Sequence, residues 1–102
     1  MAEKRETRFK HRIRPQLERL PYTWFVKVQQ AALRGTPDIL MCVNGTFVAL
    51  ELKADEKSHI DKLQVYTLKQ IERAGGVAIV TYPENWPETY KRLEKIATGE
   101  AA

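Results

Sequence analysis

The sequence predicts an α/β domain in the order α-β-β-β-α-β-α, a mixed sheet flanked by helices with one more helix at the C-terminus. Three observations carry this. Asn44-Gly45 separates two apolar runs, the strongest short signal for a hairpin with a two-residue type I′ turn. Apolar residues recur at spacings of three and four in three other segments, which makes those helical. Between the second and third of them lies an apolar run, Val77 to Tyr82. A hairpin followed by a helix and a further strand implies a sheet with both antiparallel and parallel pairs.

The elements follow in order. Glu6, Phe9, Ile13, Leu17 and Leu20 share one helical face. Pro15 removes the donor that would bond to His11, so a kink or break is expected there, and Pro21 closes the segment. Thr23 to Val28 is β-branched and aromatic, hence a strand. Residues 29–37 read as a loop broken by Gly35 and Pro37. Asp38 to Val43 and Thr46 to Lys53 are the hairpin strands, with Cys42 expected in an apolar, buried role. Ser58, with Asp61 three positions on, predicts a capped helix start, and Ile60, Leu63, Thr67, Ile71 and Ala74 its buried stripe. Gly75-Gly76 ends that helix in the left-handed conformation. The strand Val77 to Tyr82 is apolar throughout, so a central position covered on both faces is expected. Asn85 with Glu88 caps a last helix whose stripe is Trp86, Tyr90, Leu93 and Ile96.

The 102 residues make one domain, with residues 1–3 and 98–102 as loose ends. No apolar run approaches the ~20 residues of a membrane span. Nothing apolar follows the basic first residues, so no signal peptide is read, and a cytoplasmic location is expected, in a bacterial cell or a phage-infected host. One cysteine gives neither an internal disulfide nor a metal cluster, and no second histidine stands at zinc-ligand spacing. The net charge of +4 is confined to residues 1–20, which hold seven cations and three anions. The remainder is balanced. A basic leading helix suits a polyanion, although many proteins carry such a charge with no nucleic acid in view.

The hairpin register gives the chemistry. With Asn44 and Gly45 as the turn, Val43 faces Thr46, Leu40 faces Ala49, and Asp38 faces Glu51. Opposite residues of an antiparallel pair have Cβ atoms ~4.5–5.5 Å apart, so two carboxylates meet, which repels unless a cation lies between them. Lys53 projects from the same face as Glu51, whereas Leu50 and Leu52 point to the other. Glu6 stands at the inward edge of the first helix, and Gln64 lies inside the apolar arc of the second. The plainer readings are a loop cap for Asp38, a solvated strand end for Glu51 and Lys53, a helix-dipole role for Glu6 and an edge-of-stripe amide for Gln64.

Arg34-Gly35-Thr36-Pro37-Asp38, then twelve residues, then Glu51-Leu52-Lys53, resembles the PD-(D/E)xK nuclease superfamily, and most closely its stand-alone virus-type replication-repair (VRR-NUC) family of bacteria and phages. The Asn-Gly hairpin and the pair Gln64 and Gly75 on the next helix add to the likeness, which spans about Glu6 to Ile96. The resemblance implies a restriction-endonuclease-like αβββαβ core. It also implies Mg²⁺ or Mn²⁺ held by Asp38, Glu51 and the carbonyl of Leu52, with Glu6 completing or supporting the site. Lys53 would orient the attacking water and Gln64 would sit beside the motif. The expected activity is a structure-selective DNA endonuclease similar to Holliday junction resolvases, acting as a homodimer and leaving 5′-phosphates. Arg5, Arg8, Arg12 and Arg34 would contact DNA phosphates. The alternatives are a flap or nicking nuclease, a non-catalytic nucleic-acid-binding module on the same fold, and an interaction protein in which the two acids are incidental.

Overall fold

The computed structural model describes residues 4–29 and 33–100. Residues 1–3, 30–32 and 101–102 lie outside the described residues, so the expected loose ends there and the middle of the expected 29–37 loop are not part of it. The elements are α1 (Arg5–Glu18), β1 (Thr23–Lys27), β2 (Ile39–Val43), β3 (Thr46–Leu52), α2 (Lys62–Arg73), β4 (Val77–Thr81) and α3 (Trp86–Ala97). The order α-β-β-β-α-β-α is the one the sequence predicts.

The four strands form one sheet in the order β1-β2-β3-β4. The pairs β1–β2 and β2–β3 are antiparallel, and β3–β4 is parallel, connected through α2. At the hairpin, Asn44 and Gly45 have φ of 46° and 83°, as a type I′ turn requires. Val43 therefore pairs with Thr46 and Leu40 with Ala49. The one-residue alternation then sends Val48, Leu50 and Leu52 to one face of β3 and Phe47, Ala49 and Glu51 to the other.

The first face carries the core. Phe9, Ile13 and Leu17 of α1 pack there with Leu93 and Ile96 of α3 against Met41, Val43, Leu50 and Leu52. Trp86 joins the two helices. Its ring meets Phe9 edge-on at 5.9 Å, and its Nε1 donates to Gln16 Oε1 at 3.0 Å. Tyr90 adds a bond from its hydroxyl to the carbonyl of Gln16, near the end of α1, where helical carbonyls lack partners. α2 covers part of the second face, where Ile71 and Phe47 crowd around Gly76. Trp24 and Phe47 remain 66% and 45% exposed, so the β1 side of that face is open.

Several expectations are corrected. α1 runs through Pro15 without a break, with the proline exposed in the last turn. α2 begins at Lys62, four residues after Ser58, with Asp61 as its N-cap. Asp61 and Gln64 form the capping box, while Ser58 instead closes a turn with Asp55. The buried stripe differs from the expected one: Leu63 and Ala74 are exposed, Ile60, Thr67 and Ile71 are half-buried, and Leu68 is the buried residue. β4 is an edge strand, and its apolar character reflects helices on its faces. Cys42 is exposed, on the open face opposite Phe47. Residues 98–100 are tied down: Gly99 has φ of 82°, and the amide of Glu100 bonds back to Lys95 at 2.8 Å. Among the described residues, no helix is long and apolar enough to cross a membrane.

Candidate active site

The stretch before β2 explains its own composition. Gly35 lies against the first turn of α2, where a Cβ would stand 2.7 Å from the carbonyl oxygen of Leu63. Its φ of 85° is one that side chains disfavour. Thr36 closes the turn through a 2.7 Å bond to the carbonyl of Leu33. Pro37 is fully buried. Asp38 is thereby delivered to the head of β2, where the carbonyl of Asp38 accepts from Val28 at 2.7 Å and continues the β1 pairing.

Asp38 is one residue before the Ile39–Leu50 pair, so it stands across from Glu51 as the register predicts. Its Oδ2 accepts a 2.7 Å bond from the amide of Leu52. Its Oδ1 receives Lys10 Nζ at 3.3 Å. Glu51 is 3% exposed. Its Oε2 accepts from Gln64 Nε2 at 2.9 Å, with Lys53 Nζ at 3.6 Å from the same oxygen. Gln64 Oε1 accepts from Lys53 Nζ at 3.1 Å and from the amide of Asp61 at 3.0 Å. One amide side chain therefore caps α2 and also fixes the geometry of Glu51 and Lys53.

The electrostatics are those of two acids forced together. The Glu51 carboxyl is pushed up to about 8, first by burial, then by the charge of Asp38 and a hydrogen bond with it, against the opposing pull of Lys53. Desolvation outweighs the ammonium because a buried carboxylate loses its hydration, whereas Lys53 divides its attraction with Gln64.

The structure brings Asp38, Glu51, Lys53 and Gln64 together as expected. It keeps Glu6 apart. Lys10 lies between Glu6 and Asp38, at 3.8 Å from Glu6 Oε1 and 3.3 Å from Asp38 Oδ1. Among the described residues, no group of three His, Cys, Asp or Glu side chains is placed to hold one ion. Lys10 is four residues after Glu6 and three before Ile13, a spacing that puts it on the inner stripe of α1. Arg5, Arg8 and Arg12 are exposed along α1, where they and Phe9 and Pro83 line a shallow groove. Arg5 is also paired with Glu84 at 3.1 Å. Arg34 is exposed in the turn before Gly35.

The donor chemistry suits a hard divalent cation. Asp38, Glu51 and the carbonyl of Leu52 offer oxygen only, and Mg²⁺ is commonly held by one or two carboxylates with water and substrate phosphate completing its shell. No family model matches the chain, and no curated protein matches it. Among solved structures, a chain described as "VRR_NUC domain" matches with a TM-score of 0.70 at 21% identity, over 94% of this chain and 97% of that one.

Proposed function

We propose that this chain, which has the fold of a VRR_NUC domain, is a nuclease of that family, a metal-dependent endonuclease acting on branched or junction DNA. The carrying observation is the pair of acids itself, with Glu51 buried. Glu51 is placed against Asp38 with Lys53 and Gln64 on the same carboxylate, an arrangement that costs stability and that packing alone does not need.

Mg²⁺ or Mn²⁺ would be held by Asp38, Glu51 and the carbonyl of Leu52. Such an ion supplies Lewis acidity, drawing negative charge off a phosphodiester. The remaining work falls to the chain. Asp38 is held by the amide of Leu52, which fixes its carboxylate against the end of β3. Lys53 keeps its ammonium beside Glu51, where it can hold a water or meet charge that develops on the phosphate. Gln64 fixes both groups from the start of α2. Lys10, tethered by Glu6, lends positive charge to the far oxygen of Asp38. Arg5, Arg8, Arg12 and Arg34 contact backbone phosphates, which positions DNA without reading its sequence. A homodimer would let two such sites make paired cuts in a four-way junction.

The test is cleavage of four-way junction, flapped and linear DNA with Mg²⁺, Mn²⁺ or EDTA. Metal-dependent cutting of the branched substrates is expected, with a loss of about 100-fold or more in Asp38→Ala. Binding without cutting would instead identify a nucleic-acid-binding module, and undiminished cutting by Asp38→Ala would refute the site. Sedimentation of the protein with its junction, and of the protein alone, checks the dimer.

A further inference from the structure

A cavity of about 190 Å³ opens beside Asp38, between α1, β1 and the head of β2. Its inner walls are Leu17, Phe25 and Ile39, and its cationic groups include Lys10, Arg14 and Lys27. Two of these cations are already committed. Lys10 meets Asp38 at 3.3 Å, and Arg14 meets Glu18 at 3.3 Å while lying over the Phe25 ring at 5.8 Å. Lys27 is exposed at the end of the edge strand. Apolar walls with a cationic rim suit a ligand that has a flat apolar part and a negative charge on one side. Size narrows the choice. The volume is below the ~300 Å³ at which drug-sized sites begin. It has room for one ring system.

We propose that this cavity receives the base of an unpaired nucleotide belonging to the DNA strand whose phosphate lies at Asp38 and Glu51. The inference rests on the reading of those two acids as the place of the scissile phosphate. A base in this position is enclosed by Phe25 and Leu17 while its sugar-phosphate passes the rim cations. A paired base must first leave its stack, whereas an unpaired one at a branch point enters at least cost. The cavity would therefore make the enzyme select branched DNA by accessibility of a base, independently of any basic surface.

The experiment compares three fluorescent probes in EDTA: a flapped duplex, the same flap with an abasic site at its first unpaired nucleotide, and the fully paired duplex. The expected result is about tenfold weaker binding of the abasic flap than of the intact flap, the size of effect that loss of one stacked base produces. Val28 also lines the cavity, so Val28→Trp should fill it, abolish the difference between the flaps and leave duplex binding unchanged. Lys27→Gln, at an exposed position, should weaken flap binding about threefold more than duplex binding without touching the packing. Equal binding of the two flaps by the wild type overturns the inference, as does a Val28→Trp variant that loses flap and duplex alike. Cleavage of the intact flap with Mg²⁺ is scored separately. If the wild type binds with base preference but never cuts, the nuclease reading fails while the cavity stands.

Discussion

Glu51 is a carboxyl whose environment opposes its charge, and that has a consequence for stability. In the unfolded chain it ionises near 4.5, and in the folded chain near 8. Below the lower value both states hold the proton, and the group has no effect. Between the two values the unfolded chain releases a proton that the folded chain keeps, so the unfolded state gains and stability falls as pH rises. Above about 8 the penalty is complete. Glu51→Gln removes the charge and keeps a hydrogen-bond acceptor for Gln64. In EDTA its melting temperature should match the wild type near pH 4 and exceed it by about 5 °C or more at pH 8. Adding Mg²⁺ at pH 8 should raise the wild-type melting temperature and leave that of the variant where it was. A wild type that is most stable at pH 8 in EDTA would show that burial does not dominate at this carboxyl. This pair of acids is legible in the sequence, since Asn44-Gly45 sets a register that places Asp38 opposite Glu51. Lys10 was not, because its positive charge among arginines disguised its inward position on the α1 stripe.

At the scale of elements, the site is a meeting of three chain segments: the turn before β2, the end of β3 and the first turn of α2. Their junction depends on Gly35. Its left-handed backbone costs a side-chain-bearing residue about 1–2 kcal/mol. A Cβ there would also run into the carbonyl of Leu63, and backbone cannot swing away as a flexible side chain can. Gly35→Ala should therefore cost about 2 kcal/mol or more in urea unfolding. Cutting should fall with it, since Pro37 and Asp38 follow directly. A variant of wild-type stability would mean that the turn and α2 separate freely. The hairpin and the helix ends were readable because each depends on local chemistry, Asn-Gly for the turn and Gly75 for the α2 stop. The start of α2 and the edge position of β4 were not. Ser58 and Asp61 both offer a cap, and the helix starts at the second, where Gln64 Oε1 accepts from the Asp61 amide while its Nε2 donates to Glu51. An apolar strand reads alike whether helices or further strands cover it.

For the whole molecule, the proposed function would place DNA along the basic side of α1. The excess of +4 comes from the α1 region, and the exposed members Arg5, Arg8 and Arg12 run along one side of that helix towards Pro83. The inner side of the same helix carries Lys10 to Asp38, with Glu6 on the far side of that ammonium. On the proposed function one element would present the phosphate contacts and support the acid pair, so a bound strand would pass the site along α1. Neutralising phosphates releases condensed counterions, so log K falls with log salt by about 0.9 per contact on duplex DNA. The double variant Arg8→Gln/Arg12→Gln should weaken binding of junction, flap and duplex by similar factors. Its salt slope, taken by fluorescence anisotropy between about 50 and 200 mM, should be shallower by about 1.8 if both arginines touch phosphate. Both residues are exposed, so folding should change little; Arg12 loses only its contact over Phe9, worth about 0.5–1 kcal/mol. An unchanged slope would move the DNA off α1. Trp24 and Phe47 would then mark the remaining open surface, on the opposite face of the sheet.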